Sequence, residues 1–193
     1  TYGTDATAPS MSWGTKLDSP TSYDPRDFFQ TGFNTTNSVS ISGGTERNQT
    51  YFSAASLNSR GIIPNNVYNR YNFTFRNTTQ LIKDKLTLDL GASYMRQYKR
   101  NPLVQGLYHN PLIPIYLFPR GDDWADVEMY ERYNSSRGIY EQYWPTMGAD
   151  TYQMQNPYWI SYRNLRETRK DRYMINASLT YDILDWLSVA GRI

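Results

Sequence analysis

Asp122, Asp123, Asp126 and Glu128 fall within a seven-residue stretch. Carboxylates at such spacing could hydrolyse a glycoside, one as acid and the other as base or nucleophile. They could also hold a hard cation such as calcium through oxygen ligands. The ligand spacing of a helix–loop–helix calcium site, with its central glycine and closing glutamate, is missing. The cluster is therefore read first as the acidic start of a short helix over residues 122–133, with Asp123 as cap and Val127, Met129 and Tyr130 as its apolar side. Cation binding is the alternative. His109 is the only histidine and there is no cysteine, which excludes a usual zinc site and a cysteine nucleophile. No catalytic residue, metal or cofactor is expected, and the chain is not expected to be an enzyme.

The second chemically suggestive group is aromatic. Residues 98–169 hold 14 of the 30 aromatic side chains, and their charges cancel, eight basic against eight acidic. Trp124, Trp144, Tyr158 and Trp159 could stack on sugar rings, meet a partner, or pack a long loop upon itself. Arg120-Gly121-Asp122 spells an adhesion tripeptide, read here as a chance turn. The Asn-X-Ser/Thr triplets at Asn34, Asn48, Asn72, Asn77, Asn134 and Asn176 are read as a by-product of composition. The net charge of +2 is well mixed, so no nucleic-acid footprint appears.

The elements that would position these groups are strands. Leu86, Leu88, Leu90, Ala92 and Tyr94 alternate with Thr87, Asp89, Gly91 and Ser93. Tyr173, Ile175, Ala177, Leu179 and Tyr181 alternate with Met174, Asn176, Ser178, Thr180 and Asp182. Each segment thus has one apolar and one polar face. Further strands are expected at 37–42, 49–57, 68–81 and from 186 onward, the facing of 49–57 being undecided. Turns at 43–48, 83–85 and 183–185 are tight, whereas 58–67 is longer and 98–169 very long. Short turns on one side and long loops on the other are what an outer-membrane barrel shows. No run approaches the roughly 18 apolar residues of a spanning helix. Mean hydropathy of −0.71 does not exclude a barrel, whose strands need only alternate apolar residues.

Asp27-Phe28-Phe29-Gln30-Thr31-Gly32 followed by Asn37-Ser38-Val39-Ser40-Ile41-Ser42-Gly43-Gly44 resembles the start of the barrel in SusC/RagA-type TonB-dependent transporters. Ser12-Trp13-Gly14, Gly61-Ile62-Ile63-Pro64-Asn65, Arg70-Tyr71-Asn72-Phe73, Asp84-Lys85-Leu86, Asn110-Pro111-Leu112, Asn156-Pro157-Tyr158-Trp159, Asp171-Arg172-Tyr173, Tyr181-Asp182-Ile183, Trp186-Leu187 and Gly191-Arg192 are similar to that family in order and spacing. The resemblance implies a multi-pass β-barrel in a Gram-negative outer membrane, part of an active transporter for oligosaccharides or peptides. It implies a SusD-like surface lipoprotein as lid and the TonB complex as energy source, contacted through parts of the protein outside this stretch.

The expected fold is all-β, about six antiparallel strands of a large transmembrane barrel. An opening outer-loop segment (1–36) precedes four strands (37–97), a long extracellular loop (98–169) and two more strands (170–193). The chain is expected to be a fragment, since the alternation still runs at Arg192-Ile193 and no leader precedes it. Leu86, Leu88, Leu90, Tyr173, Ile175, Leu179 and Val189 should face lipid. Arg76, Asp89, Asn176, Thr180 and Asp182 should face a plug or lumen. Trp124, Trp144, Tyr158 and Trp159 are the candidates for facing lid or substrate. The alternative reading is a soluble β-rich carbohydrate-binding module, with its apolar faces buried between two sheets.

Overall fold

A computed structural model describes residues 2–4, 13–18, 24–118, 123–144 and 155–193. The protein is all-β, with 57% of the described residues in strands and 12% in helices. Its chain divides into two units, the first made of Thr1–Gly32, Arg60–Asn66 and Arg100–Arg166, the second of Phe33–Ser59, Val67–Lys99 and Glu167–Ile193.

The second unit is one six-stranded antiparallel sheet. Its strands are β3 (Phe33–Gly44), β4 (Asn48–Arg60), β5 (Val67–Ile82), β6 (Leu86–Arg100), β9 (Glu167–Leu184) and β10 (Leu187–Arg192), and they neighbour one another in chain order. The strands run longer than the alternating segments of the sequence, β4 reaching Arg60, β6 Arg100 and β9 starting at Glu167. The turn between β5 and β6 is closed by Asp84 in the left-handed region (φ 58°) and by a Lys85 N–H to Ile82 C=O hydrogen bond of 3.1 Å. Asp tolerates that conformation better than most side chains.

The first unit contains the short pair β1 (Tyr2–Thr4) and β2 (Trp13–Lys16) and the hairpin β7 (Glu131–Asn134) and β8 (Ile139–Gln142). Its helices are α1 (Leu112–Leu117), α2 (Ala125–Glu128) and α3 (Pro157–Tyr162). The expected helix over 122–133 is thus cut to one turn. The Asp123 carboxylate accepts the Ala125 N–H at 3.0 Å, but the helix cap is Trp124, one residue later and without a side-chain bond; Met129 leaves helical geometry (ψ 65°) and Glu131 enters a strand. Tyr and Arg at 130–133 pair across β8 instead, which wins over a helix too short to hold its own hydrogen bonds. Among the described residues, the long connection therefore carries three short helices and a hairpin, where the sequence pointed to a single helix.

Phe28, Ile115, Phe118, Trp124 and Val127 form the core of this unit, with Phe29, Ile63, Leu112, Trp144 and Tyr158 against it. Phe28 arrives on a 3₁₀ turn, Pro25–Phe28, started by the Asp24 side chain and a proline in the first turn. Proline suits that position because its missing N–H would have no intrahelical partner. Asn156 is fully buried: its amide donates to the carbonyls of Val127 (2.7 Å) and Tyr143 (2.9 Å), while its oxygen accepts the Tyr158 N–H at 2.8 Å. One side chain thereby caps α3 and ties it to α2 and to the end of the hairpin.

Candidate functional site

The sheet carries the functional question, because its two faces differ. Phe73 stacks on Tyr94 at 6.2 Å, and Tyr94 on Tyr173 at 4.8 Å. Those contacts place the odd residues of β5, the even residues of β6 and the odd residues of β9 on one face. Leu86, Leu88 and Leu90 share it with Tyr173, Ile175 and Leu179, and Val189 joins them by pairing with Tyr181. Thr78 donates to Asp89 at 2.6 Å, which sets Asp89, Arg76, Asn176, Thr180 and Asp182 together on the opposite face. The two residue sets therefore lie on opposite faces of the sheet.

The orientation of β4, undecided in the sequence, follows from its neighbours. Asn48 donates to Thr79 at 2.8 Å, and Asn77 to Thr50 at 2.9 Å, so even residues of β4 share the apolar face. Phe52 and Ala54 then extend that face, and Tyr51 and Ser53 the polar one. Hydrophobicity could not separate Tyr51 from Phe52 or Ala54 from Ala55, and only the cross-strand amides decide it.

This apolar face is open. Ile175 is 82% exposed, Tyr173 72% and Ile41 67%. Among the described residues, the buried hydrophobic side chains (Phe28, Ile115, Phe118, Trp124, Val127 and Ile160) all belong to the first unit. The sheet has no apolar core of its own, and no second sheet covers it within its unit. The apolar stretch also runs obliquely. On β6 and β9 it starts at the tight turns with Leu86 and Ile183, but on β4 Asn48 and Thr50 come first and Phe52 opens it. Beyond Tyr94 and Tyr173 the face turns polar, with Arg96 and Asp171, and the Tyr94 hydroxyl donates to Asp171 at 2.6 Å.

The aromatic candidates of the long connection divide. Trp124 is buried in the core of the first unit, and Trp144 and Tyr158 lie half-buried against it. Phe28 and Phe118 meet Tyr158 and Trp124 edge-on at 5.1 and 5.0 Å. Burial pushes the Tyr158 hydroxyl pKa up. Packing of the loop upon itself is what these three do; Trp159 is half-buried on α3. Among the exposed aromatics, which include Tyr108, Tyr116 and Tyr162, Tyr133 and Tyr140 form an edge-to-face pair at 5.3 Å on the β7–β8 hairpin. Sequence reading overlooked them, and their period-two placement around Asn134 and Gly138 was the available signal. Arg163 grips the Glu131 carboxylate with two hydrogen bonds of 2.6 Å, which hold that carboxyl below its ordinary range. Glu141 is likewise lowered, first by the Asn134 amide and then by Arg137.

Asp122 of the acidic cluster, the tripeptide at 120–122 and Ser12 lie outside the described residues. Among those described, no three acidic or histidine side chains gather as metal ligands. His109 sits in a loop, its ring 3.5 Å from the Asn164 amide. Among the described residues, no helix is long and apolar enough to cross a membrane. No protein-family model and no curated protein matches this chain.

Proposed function

We propose that this chain is a wall segment of a transmembrane β-barrel, an early part of a SusC/RagA-type outer-membrane transporter importing oligosaccharides or peptides. The observation that carries the reading is the open apolar face of the six-stranded sheet, from Ile41 and Phe52 across Phe73 and Leu90 to Ile175 and Val189. An exposed apolar surface this extensive needs a partner phase. Lipid suits it because the opposite face is polar and the apolar band crosses the strands obliquely, as tilted barrel strands require. Tyr71, Tyr94 and Tyr173 at its border fit the aromatic girdle of a membrane interface. Six strands cannot close, since the smallest natural barrels use eight, so the wall is completed by further strands. The segment breaks no bond; its polar face lines a plug or an aqueous passage, and its long connection meets lid or substrate. A SusD-like lipoprotein and the TonB complex are the partners this reading implies.

The test is fractionation of cells producing the intact protein. Carbonate-resistant recovery in the outer membrane, with heat-modifiable gel mobility, supports the reading. Recovery as a folded soluble species contradicts it and favours the carbohydrate-binding module.

A further inference from the structure

Half of the sheet's polar face carries cations without anions. Arg70 on β5, Lys99 on β6, and Lys170 and Arg172 on β9 all lie on the face that holds Asn176 and Asp89. The Lys99 ammonium sits 5.8 Å from the centre of the Tyr68 ring, and the Tyr68 hydroxyl meets Gln97 at 3.4 Å. Arg70 donates to Asn72 at 3.1 Å. Among the described residues, the ion pairs are Arg26–Asp24, Arg137–Glu141 and Arg163–Glu131, none of which includes these four cations.

The nearest carboxylates on this face within β6 and β9 are Asp89 and Asp182, toward the tight turns. Asp89 is ten positions from Lys99, and Asp182 ten from Arg172, roughly 34 Å along each strand. The acidic residues of the same stretch, Glu167 and Asp171, point to the other face, where the hydroxyls of Tyr98 and Tyr94 engage them at 2.6 Å. Three adjacent strands therefore present four unpaired positive charges to one side.

We propose that this strip selects an anionic ligand, an oligosaccharide bearing carboxylates, as the transported substrate. The inference rests on the transporter reading and names the substrate class of its polar face. Unpaired cations lining a passage raise the local concentration of anions and discriminate against neutral analogues. Arg70 and Arg172 supply the planar fork that matches a carboxylate. The neighbouring side chains favour a sugar over an acidic peptide. Asn72, Thr74, Gln97, Asn176 and Ser178 offer amides and hydroxyls that both donate and accept, as a polyhydroxylated ligand requires.

Calorimetric titration of the intact protein in detergent tests this with three probes: hexagalacturonate, neutral galactohexaose and hexaglutamate. The parent should bind hexagalacturonate at least about tenfold tighter than galactohexaose. Lys170→Gln combined with Arg172→Gln should lose about tenfold, and Arg70→Gln should weaken binding in the same direction. Glu167→Gln, on the opposite face, should leave binding unchanged. Equal affinity for charged and neutral sugars, no binding of hexagalacturonate, or unchanged binding in both strip variants overturns the proposal. Tighter binding of hexaglutamate replaces the sugar with an acidic peptide. Heat-modifiable mobility of each variant, measured in parallel, separates loss of fold from loss of charge. A soluble protein that still prefers hexagalacturonate through Lys170 and Arg172 would sink the transporter reading alone, and a membrane-inserted one with no charge preference would sink this inference alone.

Discussion

Gly91 on β6 faces Asn176 on β9 so closely that a Cβ built on the glycine would lie 2.3 Å from the Asn176 side-chain oxygen. The amide thus occupies the space that any other residue at 91 would fill. This contact fixes the register of β6 against β9 on the polar face, as the Tyr94–Tyr173 stack does on the other. Gly91→Ala should destabilise by up to about 1 kcal/mol, because the exposed Asn176 amide must turn aside. Adding Asn176→Ala should return most of that loss, since the clash is with a side chain. Thermal shifts of the two variants check the pair, and purely additive effects would deny the contact.

A charge on the apolar face should cost far more than one on the polar face. Leu90→Arg should destabilise by about 2–4 kcal/mol if lipid surrounds it near the bilayer midplane. Ser93→Arg, on the polar face of the same strand, should insert like the parent. Urea titration of the two variants in micelles reads the difference. Equal stabilities would mean that the two faces do not meet different solvents.

The first unit depends on its small core. Ile115→Ala should cost about 2–5 kcal/mol of that unit's stability, because the side chain is fully buried among Phe28, Phe118, Trp124 and Val127. Asn156→Ala should cost about 1–3 kcal/mol for each carbonyl it leaves unsatisfied, those of Val127 and Tyr143. Limited proteolysis should show cleavage concentrated between residues 101 and 166 in both variants. Parent-like resistance in that stretch would exclude the core described here.

Acid should loosen the hairpin. Arg163 depresses the Glu131 carboxyl pKa in the folded state, so the pair's contribution is present above the ordinary carboxylate pKa. It is lost as pH falls through the depressed folded value. Hydrogen exchange at Arg132–Asn134 should therefore rise in that acidic window, and Glu131→Gln should flatten the rise. The pair is partly exposed (side-chain accessibilities of 49% for Arg163 and 19% for Glu131), so the change should be small. An unchanged pH profile in the Gln variant would assign the acid response to other groups.

The sheet was legible in the sequence because period-two alternation records directly which side each residue takes. At β6 and β9 that pattern is clean, and the facing of Leu90 and Asn176 follows from it. At β4 both faces hold similar residues, and the decisive contacts, Asn48 to Thr79 and Asn77 to Thr50, join partners 31 and 27 positions apart. The loop core was less legible for the same reason. Phe28, Ile115 and Trp124 come together from distant segments, and nothing local distinguishes an aromatic that packs inward from one that waits for a ligand. The cationic strip escaped notice because Lys170 and Arg172 flank Asp171, and only the extended alternation of β9 shows that their charges point apart.

The proposed lipid contact of one sheet face can be read directly. Single cysteines placed in turn from residue 173 to 182 of the membrane-inserted protein, each carrying a nitroxide, can be compared for collision with oxygen, which concentrates in lipid, and with a water-soluble nickel chelate. A two-residue period is expected, with positions 173, 175, 177, 179 and 181 accessible to oxygen and positions 174, 176, 178, 180 and 182 shielded from it. Uniform accessibility to the nickel chelate at both sets of positions would contradict it.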